Sequence, residues 1–133
     1  MSRQSGSALV MSLFVMGILS VLIGGFLLII TSDLNVARYD ALGRQTRYVA
    51  EAGIMEAIYQ LTVNPDWNAG YTDFELISGQ KYTVTVTNTN PTVNVVSLGE
   101  VDTLKSTVQS QLTIVRQRPS GRYHVRVDSW ELL

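Results

Sequence analysis

Apolar and polar positions divide the chain into three stretches, each with its own rhythm. From Ser7 to Ile30 no charged residue occurs, and Leu, Val, Ile and Phe recur without any polar face. As a helix this stretch is about 36 Å long, enough to cross a hydrocarbon core of about 30 Å with some tilt. Its fifteen Leu, Val, Ile and Phe residues between positions 8 and 30 each favour insertion by roughly 0.3 to 0.6 kcal/mol, which outweighs the scattered Gly and Ser. The pattern predicts a membrane-spanning helix over residues 7–30.

Charges return at Asp33, but no proline occurs before Pro65. Leu34, Ala37, Ala41, Tyr48, Ala52, Met55 and Tyr59 recur at three- and four-residue steps, with Val49 and Ile58 widening the stripe. The same helix is therefore expected to continue, now amphipathic, over residues 31–64. Asn64-Pro65-Asp66 ends it, because proline disfavours helical geometry in the residue before it and has no N–H to donate.

Over residues 65–133 the period becomes two. Phe74 and Leu76, then Tyr82, Val84 and Val86, then Val93 to Leu98, then Leu104 to Ile114, and last Tyr123, Val125 and Val127 read as successive strands, with Trp130 just beyond the last. Turn residues separate them: Ser78-Gly79-Gln80, Asn88 to Pro91, Gly99 to Asp102 and Pro119-Ser120-Gly121. An antiparallel meander of four to five strands with one oily face needs a cover, and the helix stripe is the apolar surface available for it. The expected class is α+β, a long N-terminal helix on an antiparallel sheet. Ala50, Ala52 and Gly53 are expected to let helix and strands approach closely, and Met55 and Ile58 to fill the gaps.

Composition narrows the picture. The net charge of -1 gives no global attraction to nucleic acid or anionic lipid, and the absence of cysteine excludes disulfides, thiolate metal sites and a lipid-modified cysteine. The single histidine, His124, sits on an alternating strand with no nucleophile or acid patterned around it. Asp66, Asp73 and Glu75 are oxygen donors near a loop, but the EF-hand spacing is absent. No phosphate-cradling glycine motif occurs. No enzyme activity, metal or cofactor is expected. Arg116, Arg118, Arg122 and Arg126 cluster around the last turn; they are candidates for DNA phosphate contacts, although arginines at a hairpin commonly serve as edge protection.

The N-terminal signal admits other readings. A secretory signal carries a shorter apolar run, of about 7 to 15 residues, and a small-x-small cleavage site, which is not found before Asp33. An uncleaved single-pass signal anchor satisfies hydropathy equally well. What separates these readings is the start of the chain, Met-Ser-Arg-Gln-Ser-Gly followed directly by Ser-Ala-Leu-Val.

This start resembles the class III signal of type IV prepilins, a short basic leader ending in glycine. The resemblance implies a leader over residues 1–6, cleavage between Gly6 and Ser7 by prepilin peptidase, and N-methylation of Ser7. Tyr48-Val49-Ala50-Glu51-Ala52-Gly53 is similar to the Ala-Glu-Ala-Gly segment of PilX-like minor pilins, a subfamily that also tends to carry a tryptophan at its C-terminal strand, as Ser129-Trp130-Glu131 does here. By that resemblance the chain is a structural pilus subunit: a single-pass bacterial inner-membrane precursor that later enters a cell-surface or periplasm-spanning filament. Its implied partners are other pilin subunits, the inner-membrane assembly platform, the lipid bilayer and a tip adhesin.

Most major pilins carry glutamate five residues after the cut, where Met11 stands here. That departure favours a minor, initiating or tip-proximal subunit, since such a subunit has no neighbour ahead whose amino terminus needs the acid. A type II secretion pseudopilin and a DNA-uptake pilin remain alternatives. Gly17, Ser20 and Gly24 are expected to let helices pack closely, and Gly24-Gly25, about 1 kcal/mol each weaker than alanine, to be the spot that stretches in a filament.

Overall fold

The computed structural model describes residues 4–116 and 123–133. Its elements are helix α1 (Gln4–Val63) and strands β1 (Tyr71–Ile77), β2 (Gln80–Thr89), β3 (Thr92–Val101), β4 (Leu104–Arg116) and β5 (Tyr123–Leu132). The chain divides into two compact units between Tyr39 and Asp40. The first unit is helical from Gln4 onward, and α1 starts three residues ahead of the expected Ser7.

The second unit contains the rest of α1 and all five strands, which hydrogen-bond in sequential order β1-β2-β3-β4-β5, every neighbouring pair antiparallel. Two-residue loops set the register between the first four strands. Ser78-Gly79 joins Ile77 to Gln80, with Gly79 at φ +80°; Asn90-Pro91 joins Thr89 to Thr92 through a cis peptide; Asp102-Thr103 joins Val101 to Leu104, with Asp102 at φ 56°. Asn and Asp tolerate such conformations, and Gly adopts them without a Cβ penalty. β3 extends to Val101, past the point where Gly99 suggested a turn.

Helix α1 ends where proline dictates. The N–H of Asn64 still reaches the Gln60 carbonyl at 2.7 Å, and the Asn64 side chain then accepts from the Asp66 N–H at 3.2 Å. The loop after it is tied to the sheet by Asn88, whose amide donates to the carbonyls of Pro65 (2.7 Å) and Trp67 (3.3 Å). Along the second unit's helix, Asp40–Arg44, Arg47–Glu51 and Glu56–Gln60 make i,i+4 contacts, each adding a few tenths of a kcal/mol.

The core alternates cleanly on the strands. Tyr82 and Val84 from β2, Val93, Val95, Ser97 and Val101 from β3, and Val108, Ser110, Leu112 and Ile114 from β4 are buried against Thr46, Val49, Ala50, Ile54, Ala57 and Leu61 of α1. Burying a side chain such as Ile54 or Leu61 contributes about 1.5 to 3 kcal/mol. Small residues decide how close the helix comes. A Cβ on Gly99 would lie 2.5 Å from the Thr46 carbonyl oxygen and 2.6 Å from the Ala50 nitrogen, so β3 passes directly under helix backbone.

The helix face differs from the expected stripe. Tyr48, Met55 (59% exposed) and Tyr59 point to solvent, Ala52 and Ile58 are half-buried, and Ala50 and Gly53 are buried as expected. Two apolar stripes lie side by side on this helix, and the one picked out by spacing carries the bulkier tyrosines. The sheet takes the other, the aliphatic face of Val49, Ile54 and Leu61, where Ala50, Gly53 and Ala57 leave room for close approach. Trp130 likewise lies inside β5 rather than beyond it.

Candidate functional site

The apolar half of α1 is the most distinctive surface of the first unit. Every described side chain from Gly6 to Ile30 is exposed, including Leu9, Met11, Phe14, Leu22 and Phe26. Exposed apolar area on this scale is unstable in water and calls for a lipid or protein environment. By length and composition α1 is able to cross a membrane, which is compatible with a single-pass anchor.

Hydroxyls along the rod are satisfied internally. Ser12 donates to the Leu9 carbonyl, Ser20 to Met16 and Thr31 to Leu27, each at 2.8 Å, so they do not demand water at bilayer depth. Gly17 opens a shallow apolar hollow lined by Leu13, Phe14, Ile18, Val21 and Leu22. A Cβ added at Gly6, Gly17, Gly24 or Gly25 would meet nothing within 4 Å beyond the helix's own adjacent backbone, so no packing against another part of the described chain requires glycine at those positions. The helix runs unbroken through Gly6-Ser7 and through Gly24-Gly25.

The other residues singled out in the sequence are not brought together. Arg116 and Arg126 are exposed on β4 and β5, and Arg126 pairs with Asp128 at 2.7 Å. Arg118, Arg122 and the Pro119-Ser120-Gly121 turn lie outside the described residues. Asp73 is occupied locally: its N–H donates to the Thr83 hydroxyl at 3.1 Å, while Glu75 accepts from the Gly79 N–H at 3.3 Å. Among the described residues no group of three or more His, Asp or Glu side chains is placed to hold a metal ion.

A polar and aromatic cluster that sequence patterning missed forms where α1 meets β1 and β2. Tyr71 packs between Trp67, tilted to it, and Phe74, edge-on to it, with ring centroids 5.6 Å from each, and lies edge-on to Tyr82 as well. Its hydroxyl donates to Glu56 Oε1 at 3.2 Å, the oxygen that Gln60 also engages. Burial first, and the Glu56 carboxylate second, raise the Tyr71 pKa. The spacing of Glu56 and Gln60, one helical turn apart, was the available signal. The cluster fastens the irregular edge strand β1 to the helix.

Comparison with known protein families, with curated proteins and with solved structures returned no match for the chain. Its reading therefore rests on the rod and the sheet themselves.

Proposed function

We propose that this chain is a structural subunit of a type IV pilus-like filament, most consistent with a minor, initiating or tip-proximal position. The observation that carries the reading is the division of labour along α1. Residues 7–30 are apolar and exposed on all sides, while the unit from Asp40 to Leu133 encloses a complete core without them. A rod of that kind is suited first to lipid and then to a bundle of related rods.

On this reading, prepilin peptidase cuts between Gly6 and Ser7, Ser7 becomes the methylated N-terminus, and an assembly platform moves the rod from the inner membrane into the filament. Gly17, Ser20 and Gly24 supply close approach between rods. Met11 in place of a carboxylate removes one register-setting contact to a subunit ahead, which suits a filament end. The chain itself performs no chemistry in this role. Service in a type II secretion pseudopilus or a DNA-uptake pilus uses the same rod.

Co-expression with prepilin peptidase, followed by mass analysis of the N-terminus, tests the proposal. A chain beginning at methylated Ser7 is expected. A chain that keeps Met1 to Gly6 in its native host while remaining functional is a single-pass anchored protein instead.

A further inference from the structure

The charged residues nearest the apolar run have no partners of their own. Arg38, Arg44 and Arg47 are the basic residues on the described length of α1. Arg44 pairs with Asp40 and Arg47 with Glu51, each across one helical turn. Arg38 is exposed, and no carboxylate among the described residues pairs with it. A helical side chain reaches the positions three and four away, and for Arg38 these are Leu34, Asn35, Ala41 and Leu42, none of them acidic. Asp33 is exposed too, and its neighbours at those spacings, Ile29, Ile30, Val36 and Ala37, include no base.

Within the first unit, the height of Arg38 above the apolar run matches the depth of a headgroup layer. Arg38 follows Ile30 by eight residues, about 12 Å along the helix axis. The tilt that fits a run of about 36 Å into a core of about 30 Å lowers this to about 10 Å above the hydrocarbon. Headgroups occupy about 5 to 8 Å on each side of the core. Helical side chains lean toward the N-terminus, so the long Arg38 stem reaches back from its Cα into that layer. Leu34, one turn nearer the span and 65% exposed, lies on the same face and offers the stem apolar surface. Tyr39, equally exposed, is an aromatic of the type that collects at membrane–water boundaries.

We propose that residues 31–39 form a collar in the headgroup layer of the membrane, where the Arg38 guanidinium holds the phosphate of a zwitterionic phospholipid and thereby fixes the depth of the rod. Charge decides the chemistry of this partner. A guanidinium presents paired N–H donors that match two phosphate oxygens. Asp33 cancels the local charge of the collar, so diffuse attraction to an anionic surface does not hold it, and short-range pairing does. In a bilayer without phosphate Arg38 has no partner. The inference rests on residues 7–30 spanning a membrane, and it holds whether or not the leader is cut or a filament forms.

The chain lacks cysteine, so a nitroxide attached to one introduced thiol of the full-length protein reports one position. In vesicles of phosphatidylethanolamine and phosphatidylcholine, its collisions with a water-soluble nickel chelate measure depth. A probe at Asn35→Cys, one turn from Arg38, is expected to collide severalfold less often than one at Thr103→Cys, in the exposed turn between β3 and β4. Arg38→Ala is expected to raise collisions at Asn35→Cys severalfold, and Arg38→Lys to keep most of the protection. In vesicles of a phosphate-free galactolipid Arg38→Ala is expected to change nothing, whereas a purely structural role for Arg38 would show in both lipids. An Asn35→Cys probe as accessible as Thr103→Cys, no rise on Arg38→Ala, or the same rise in both lipids overturns the proposal. A probe at Val21→Cys separates that failure from failure of the spanning reading: if it is shielded the anchor stands without the collar, and if it is exposed the span and the collar fall together.

Discussion

Gly53 and Ser97 are packed so closely that a Cβ on Gly53 would lie 2.3 Å from the Ser97 hydroxyl oxygen, with Val84 Cγ2 at 2.9 Å and Tyr82 Cδ2 at 3.0 Å behind it. The Ser97 hydroxyl is itself fully buried and has no hydrogen-bond partner among the described residues. The glycine therefore does more than tolerate a close approach; it makes room for a buried hydroxyl that has no partner.

Opposing effects meet in Gly53→Ala. Alanine improves helix propensity by about 1 kcal/mol, while overpacking a tight core costs about 1 to 3 kcal/mol. The substitution is expected to destabilise the fragment Asp40–Leu133 by about 1 kcal/mol in urea denaturation. Ser97→Ala removes both the nearest obstruction and a buried unpaired hydroxyl, whose desolvation costs about 1 to 3 kcal/mol. It should therefore leave stability unchanged or raise it, and in the double variant much of the Gly53→Ala penalty should disappear. Additive effects of the two substitutions would show that the contact does not limit the approach of helix to sheet.

The choice of helix face gives a second prediction. Ile54 is wholly buried and Met55 mostly exposed, so Ile54→Ala is expected to cost about 2 to 5 kcal/mol, whereas Met55→Lys should change stability by less than about 0.5 kcal/mol. Equal losses at the two positions would restore the stripe suggested by residue size.

That contrast marks how far the sequence is legible. The charge-free run to Ile30, the stop at Pro65 and the two-residue alternation of Tyr82, Val84 and Val86 each report a local preference, and each element forms where those residues place it. The helix face does not follow from local pattern, because Tyr48, Ala52, Met55 and Tyr59 keep the same spacing as Ala50, Ile54, Ala57 and Leu61. Only the closeness of β3, where Ser97 and Gly99 lie under the helix, separates the two. The bulge at Asp128 and the Tyr71 to Glu56 bond are equally hidden, since both arise from pairing between distant segments. The rod was legible as an apolar helix, but its use depends on partners that the chain does not contain.

Asp128, the extra residue where β5 bulges between Val127 (opposite Leu112) and Ser129 (opposite Gln111), carries a pH signature. Asp128 accepts hydrogen bonds from the Thr113 hydroxyl and from Arg126 Nε, and these, Thr113 foremost, hold its carboxyl below the ordinary carboxylate pKa. The native state therefore binds fewer protons than the unfolded chain in the acid range. Stability from Asp128 is complete above the unfolded value of about 3.9 and is lost as pH falls through the lower folded value. Asp128→Asn is expected to be less stable than the parent at neutral pH, with the gap narrowing below about pH 4. Because the group is exposed, the effect should be small. A gap that widens on acidification would assign the bulge to another cause.

The rod makes the strongest quantitative claim about its surroundings. Fifteen aliphatic and Phe residues between positions 8 and 30 supply roughly 4 to 9 kcal/mol toward insertion, from which Gly and Ser subtract part. A lysine near the centre costs about 2.5 to 3.5 kcal/mol and also removes the favourable term of the residue it replaces. Ile18→Lys alone is therefore expected to reduce membrane insertion without abolishing it, whereas Ile18→Lys with Leu22→Lys brings the balance close to zero or beyond. Alkaline carbonate extraction of membranes reads this directly, with the parent chain in the pellet and much of the double variant in the supernatant. If the double variant remained as firmly embedded as the parent, the apolar run would not be what holds the chain in the membrane, and the exposed faces of α1 would need a protein partner from the outset.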